Sequence, residues 1–179
     1  MIAVADAGPL IALAKIDGLD ALFSFHPTIL IPPAVYREAI APDLDPRVPD
    51  AFALESHVRR RALELVAAPA GALRLEESLG RGEVEAIGLA IERQATWLLV
   101  DDLAARRAAE RSFQAARAAT RVKGTLGVLV SAVRAGRLPV RRAIDLVTAI
   151  GERPDIWIHW SLCKAVIETL RREANPLDG

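Results

Sequence analysis

Carboxylates in this chain follow apolar runs at two places. Ile2-Ala3-Val4-Ala5 stops at Asp6, and Trp97-Leu98-Leu99-Val100 stops at Asp101-Asp102. Each run reads as a buried strand followed by a helix. That sets acids at the carboxyl ends of strands, where open α/β sheets hold ligands. Glu38, Glu83 and Glu85 add three more acids. Acids gathered at one sheet edge repel each other unless a cation lies among them. The donors are oxygens alone, with no cysteine set and no paired histidines. Such a set suits a hard cation, Mg²⁺ or Mn²⁺, rather than zinc. A hard cation also binds phosphate oxygens and lowers the pKa of its water, so phosphodiester hydrolysis is the chemistry implied.

Each residue also has a plainer role. Asp6 suits a turn or cap before a helix carrying Pro9 in its first turn, although Gly8 can cap instead. Glu38, taken alone, is a surface helix glutamate. Glu83 and Glu85 fall in a first helical turn, where acids favour the macrodipole. Two residues apart, they do not share a face, so one is expected to turn into the site and the other away. One of Asp101 and Asp102 is expected to cap the next helix. His26, His57 and His159 show no ligand spacing and read as core or surface residues. Trp157 and Trp160 read as core or dimer packing rather than as base-stacking groups.

These acids need a scaffold. At 179 residues with 52% hydrophobic side chains, the chain suits one domain, 1–179, with a core over about 1–135 and closing helices over about 136–179. Strands are expected at 2–5, 28–31, 97–100 and, weakly, 121–123. Helices are expected at about 9–16, 19–23, 33–40, 83–93, 103–112, 124–135, 139–150 and 158–174. Residues 52–66 look helical, but 63–68 also fit an extended edge segment. Asp43 to Pro49 reads as a loop, Arg59-Arg60-Arg61 as partly exposed, and Pro69 to Gly71 as a break. Alternating strands and helices imply right-handed βαβ units and a parallel sheet covered on both faces.

The net charge is zero, which argues against a generally basic nucleic-acid binder. The charge is unevenly spread, with −5 over residues 1–90 and +5 over 91–179. Residues 93–142 hold 11 basic and 3 acidic side chains, either a solvated face or a phosphate-contacting surface. The lone Cys163 excludes a disulfide framework and suits a reducing cytoplasm. The first ten residues lack a basic n-region, and the apolar stretch near 126–133 is too short to cross a bilayer, so no export signal or membrane anchor is expected. No phosphate-binding loop, nucleophile elbow or dinucleotide loop occurs.

Five blocks occur in order: Ala5-Asp6-Ala7-Gly8-Pro9-Leu10-Ile11, Ile31-Pro32-Pro33-Ala34-Val35-Tyr36-Arg37-Glu38, Gly80-Arg81-Gly82-Glu83-Val84-Glu85-Ala86-Ile87, Leu99-Val100-Asp101-Asp102 and Gly124-Thr125-Leu126-Gly127-Val128-Leu129. Together they resemble the PIN-domain family, in particular its VapC-like branch, over about residues 1–135. The resemblance implies a three-layer α/β/α sandwich with a short, mainly parallel central sheet. It implies a metal-dependent ribonuclease, usually the toxin of a toxin–antitoxin pair. The Mg²⁺- or Mn²⁺-holding quartet carries over as Asp6, Glu38, one of Glu83 and Glu85, and one of Asp101 and Asp102. Thr125 matches a small hydroxyl position that contacts phosphate or a water of the metal, or else caps the helix after Gly124. Arg106 and Arg107 are expected to hold the RNA backbone. An antitoxin protein is the expected partner, and the apolar helices near 9–23 and 126–133 suggest a homodimer. Two departures stand out: Gly8 replaces a common Ser or Thr, and the third acid is Glu where many relatives have Asp. They leave open a catalytically weak interaction module as the alternative. A phosphatase ranks behind both for want of a D-x-D motif.

Overall fold

The short apolar runs form strands of three residues each, and the periodic segments between them form helices. The computed structural model describes residues 2–40, 49–60, 62–69 and 79–174. The expected loop at 43–48, Arg61 and the break at 70–71 lie outside the described residues. In chain order the elements are β1 (Ala3–Ala5), α1 (Ala7–Lys15), α2 (Leu19–Phe25), β2 (Ile29–Ile31) and α3 (Pro33–Ala39). Next come α4 (Pro49–Arg59), β3 (Leu63–Leu65), α5 (Arg81–Glu92), β4 (Trp97–Leu99) and α6 (Leu103–Ala115). The last are β5 (Arg121–Lys123), α7 (Thr125–Arg134), α8 (Val140–Glu152) and α9 (Trp160–Ala174).

The strand order is β3-β2-β1-β4-β5, and every pairing is parallel. The expected "mainly parallel" sheet is thus wholly parallel among the described residues. Chain order runs outward in both directions from β1, so the direction reverses between β1 and β4. That reversal opens the crevice where doubly wound sheets bind ligands.

Side chains alternate across the strands, as a period of two requires. Ala3, Ala5, Ile29, Ile31 and Leu99 face a core shared with α1, α2, α3, α7, α8 and α9. Val4, Leu98 and Val100 face the opposite core, built with α5 and α6. Helix α3 packs on both α1 and α5.

The ambiguous segment at 63–68 resolves as edge strand β3, and α4 stops at Arg59. Leu63 is buried while Glu64 and Leu65 are exposed. A strand paired on one side only carries half the usual burial signal, which is why its pattern is weak. Helix α5 starts two residues before the expected Glu83, because Gly80 takes the extended N-cap position.

The helices expected to form a dimer interface are used inside the protomer. Leu10, Leu13 and Leu22 lie with Val128 and Leu129 in one core, and α2 packs on α7. Ile11, Phe23 and Leu126 on the same helices are only partly buried. Trp160 behaves as expected for packing: its ring lies where a side chain on Gly151 would stand, joining α9 to α8. Trp157 does not pack; it is 96% exposed.

Candidate metal centre

Asp6 and Asp101 stand at the ends of neighbouring parallel strands. The Asp6 N–H donates to the Leu99 carbonyl at 2.9 Å, which fixes the two ends side by side. One oxygen of each carboxylate, Oδ2 in both, lies 3.9 Å from the point a Gly8 Cβ would occupy. Both acids thus border the crevice where the sheet direction reverses.

Asp6 occupies the N-cap position of α1 with extended backbone, yet its side chain makes no capping hydrogen bond. The cap role is therefore not taken, although the Ala7 and Gly8 amides still face its carboxylate. Asp6 is 8% exposed, and its Oδ1 is buried with no hydrogen-bond partner among the described residues. Burial pushes its carboxyl up from 3.8 to about 7. The Ala7 and Gly8 amides oppose that rise, while Glu38 and Glu83 add to it. Leaving a buried acceptor unmatched is costly, on the order of 1–3 kcal/mol.

Glu38 is exposed on the last turn of α3. Its Oε2 lies 2.9 Å, and Asp6 Oδ1 3.4 Å, from where a Gly82 Cβ would stand. A side chain at 82 would intrude on both acids, so glycine there lets α5 begin against the carboxylates.

The two glutamates of α5 part company. The Glu83 carboxylate accepts from the Gly80 N–H at 2.8 Å and faces Asp102 and Glu38. Burial, with those neighbours, pushes its carboxyl upward against the Gly80 bond. Glu85 is buried and turned the other way. Its Oε2 accepts from the Ala34 N–H at 2.9 Å, and its Oε1 meets Arg81 at 2.8 Å. It satisfies a free donor in the first turn of α3 and joins α3 to α5. Of the two glutamates expected at the site, the structure brings only Glu83 to it.

The Asp101-Asp102 pair divides likewise. Asp102 caps α6, accepting from the Ala105 N–H at 2.8 Å. Asp101 turns inward, and Thr125 grips both of its oxygens. The Thr125 N–H donates to Oδ1 at 2.7 Å, and its hydroxyl donates to Oδ2 at 2.6 Å. Burial raises the Asp101 carboxyl, opposed by the two Thr125 bonds and by Arg106. Gly124 leaves the needed space, since a Cβ there would stand 2.8 Å from Asp101 Oδ1 and 3.1 Å from an Arg106 guanidinium nitrogen.

This arrangement gives Thr125 and Arg106 roles beside Asp101. Thr125 is fully buried, its hydroxyl holds Asp101, and among the described residues it makes no capping bond to α7. Arg106 lies beside Asp101 as a countercharge, whereas Arg107 is exposed on α6. Lys15 and Asp155 were not foreseen, and Trp157 was not expected beside these acids; all three border them. They line a cavity of about 360 Å³ with Gly8, Glu38 and Asp101. Lys15 and Asp155 are 140 residues apart, and no local pattern announces their contact.

Among the described residues no three His, Cys, Asp or Glu side chains converge as one ready-made ligand cage. The acids line the crevice instead. Their chemistry still fits a hard divalent cation. The donors are all oxygens, and the orphaned Asp6 Oδ1 is buried among like charges that a cation would neutralise.

The sequence profile of the PIN-domain family matches residues 2–172. The chain belongs to the PIN-domain family. Neither a curated protein nor a solved structure matches it. PIN domains are in general nucleases, bind RNA and typically use divalent metal ions. Among the described residues, no helix of this PIN domain is long and apolar enough to cross a membrane.

Proposed function

We propose that this PIN domain, taken as one unit over 1–179, is a Mg²⁺- or Mn²⁺-dependent endoribonuclease that hydrolyses RNA phosphodiester bonds. The observation that carries the reading is Asp6: a buried carboxylate with an unpartnered oxygen, beside Glu38, Glu83 and Asp101 in the crevice between β1 and β4. Asp6 would be the central ligand. Asp101, oriented by Thr125, and Glu83 would complete the inner contacts, with Glu38 on the solvent side. When bound, the cation would supply charge to phosphate oxygens and acidify a water. The protein's own part is to hold the acids, exclude bulk water at the buried end, and keep Arg106 as countercharge.

The test is cleavage of single-stranded RNA by the purified chain with Mg²⁺, with Mn²⁺ and with chelator. Metal-dependent cleavage that falls steeply in Asp6→Asn is expected. Equal cleavage by that variant defeats the site assignment.

The resemblance to VapC-like toxins supports a finer reading, a cytoplasmic toxin held in check by an antitoxin protein. Induced expression should then slow growth, and Asp6→Asn should relieve the effect. The alternative is an inert interaction module, which predicts no metal-linked rise in thermal stability.

A further inference from the structure

Trp157 sits on a segment held in place from both sides. Lys15, on the helix that follows Asp6, contacts the Asp155 carbonyl at 3.0 Å and its carboxylate at 3.0 Å. Arg153 grips the same carboxylate through two bonds of 2.9 Å. The Arg153 and Lys15 bonds hold the Asp155 carboxyl far below the usual range. Next in sequence, Ile156 is 7% exposed and packs in the main core. Ile158 packs partly against that core too. The ring between them is directed outward on an anchored segment, at 96% exposure.

An indole left this bare on a fixed support gains nothing for folding, since its apolar surface stays wet. Its location suggests what covers it. Trp157 lines the same cavity as Gly8, Glu38 and Asp101, and Lys15 lines it as well. The cavity therefore joins an aromatic face, one ammonium group and two of the candidate metal-binding acids. A volume of about 360 Å³ is at the small end of ligand clefts and suits one nucleotide unit. Aromatic faces beside backbone-binding charge are how single strands are held, because every base offers a π-face.

We infer that Trp157 is a stacking platform for one unpaired base of the RNA whose neighbouring phosphate lies at the Asp6–Asp101 crevice, with Lys15 and Asp155 holding that platform in register. The inference rests on the ribonuclease reading above and adds to it a requirement for an unpaired nucleotide. Stacking of this kind is sequence-tolerant, so loss of the ring weakens RNA generally.

The experiment is metal-dependent cleavage of a single-stranded RNA oligonucleotide by the full chain, Trp157→Ala and Trp157→Phe. Circular dichroism and size-exclusion chromatography are run on each. Trp157→Ala is expected to raise KM roughly 5- to 100-fold with little change in kcat, and Trp157→Phe to recover most of the loss. An abasic nucleotide next to the cleaved bond should cost the wild-type chain a similar factor and cost Trp157→Ala little more. Unchanged KM in Trp157→Ala overturns the platform while metal-dependent cleavage by the wild-type chain still supports the ribonuclease reading. A change in oligomeric state with unchanged KM overturns it in favour of a protein interface. Failure of the wild-type chain to cleave RNA with either metal overturns both readings.

Discussion

Asp6 and Asp101 close neighbouring strands of one sheet, yet their surroundings differ sharply. Asp101 has both oxygens held by Thr125 and a guanidinium nearby. Asp6 has a buried oxygen with no partner and two glutamates that raise its carboxyl further. One acid is fixed in orientation; the other is left electrostatically unsatisfied. A site that must hold a cation needs both, a rigid oxygen to define position and an unpaired one to gain on binding. Uncompensated burial at Asp6 therefore reads as strain tolerated for binding.

The sharpest way to break the comparison is to remove the charge at Asp6. Asp6→Asn keeps the size of the side chain. RNA cleavage should fall by roughly 10²- to 10³-fold, the scale seen when one preorganised charge partner is lost from a site. The metal-dependent rise in melting temperature should shrink with it. Asp101→Asn should also lose activity. In addition it weakens a filled hydrogen-bond pair, so its metal-free form should be less stable than that of Asp6→Asn. Equal metal-free melting temperatures in the two variants would show that the two aspartates are not in different states.

The next test is pH. The folded-state value for Asp6, about 7, lies above its ordinary 3.8. Between those values the folded protein holds a proton that the unfolded chain has released. The stability tied to the neutral form is complete below about pH 4 and is lost as pH rises through about 7. Glu83 and Asp101 are also shifted upward and act in the same direction. Denaturant unfolding of the metal-free chain should therefore show stability falling over that window, by up to ~4 kcal/mol. Asp6→Asn should flatten most of the slope, and added Mg²⁺ should oppose it because the cation favours the charged carboxylates. A stability that climbs over the same window would contradict the burial argument.

Thr125 gives a smaller and more specific effect. Thr125→Val keeps the shape and the backbone bond to Oδ1 but removes the 2.6 Å bond to Oδ2. Loss of a group that orients a metal ligand costs roughly 10- to 100-fold in metal affinity or activity. Thr125→Ser should retain most function. If Thr125→Val instead left metal response intact and only weakened RNA binding, the hydroxyl would be a substrate contact after all.

What could be foreseen from sequence follows the range of the interactions involved. The aspartates at strand ends were legible, because an apolar run and the next residue are adjacent in the chain. The paired choices at 83/85 and 101/102 were not. The Glu85 partner, Ala34, is 51 residues away and meets it only when α3 docks on α5. The Thr125–Asp101 contact spans 24 residues and depends on β4 pairing with β5. Glu64 and Leu65 leave the β3 pattern weak because an edge strand is half-exposed. The exposure of Trp157 was not legible for a related reason. Sequence shows that a tryptophan is present, whereas its exposure depends on Lys15 anchoring Asp155 from another helix.

Glu83 and Glu85 supply the last test and repeat the Asp6–Asp101 contrast within one helical turn. Glu85→Met leaves the buried Ala34 N–H without its acceptor, which should cost ~1–3 kcal/mol of stability. The lost ion pair adds little, because Arg81 is largely exposed. Glu83→Gln still offers an oxygen to the Gly80 N–H while removing a charge that repels Asp102 and Glu38. Its metal-free form should melt at or slightly above the wild-type temperature, and its response to Mg²⁺ should weaken. The two substitutions thus separate by readout, Glu85 in metal-free stability and Glu83 in metal response. If Glu85→Met lost the metal response while keeping its metal-free melting temperature, Glu85 would be the ligand. The Ala34 bond would then contribute little to holding α3 on α5.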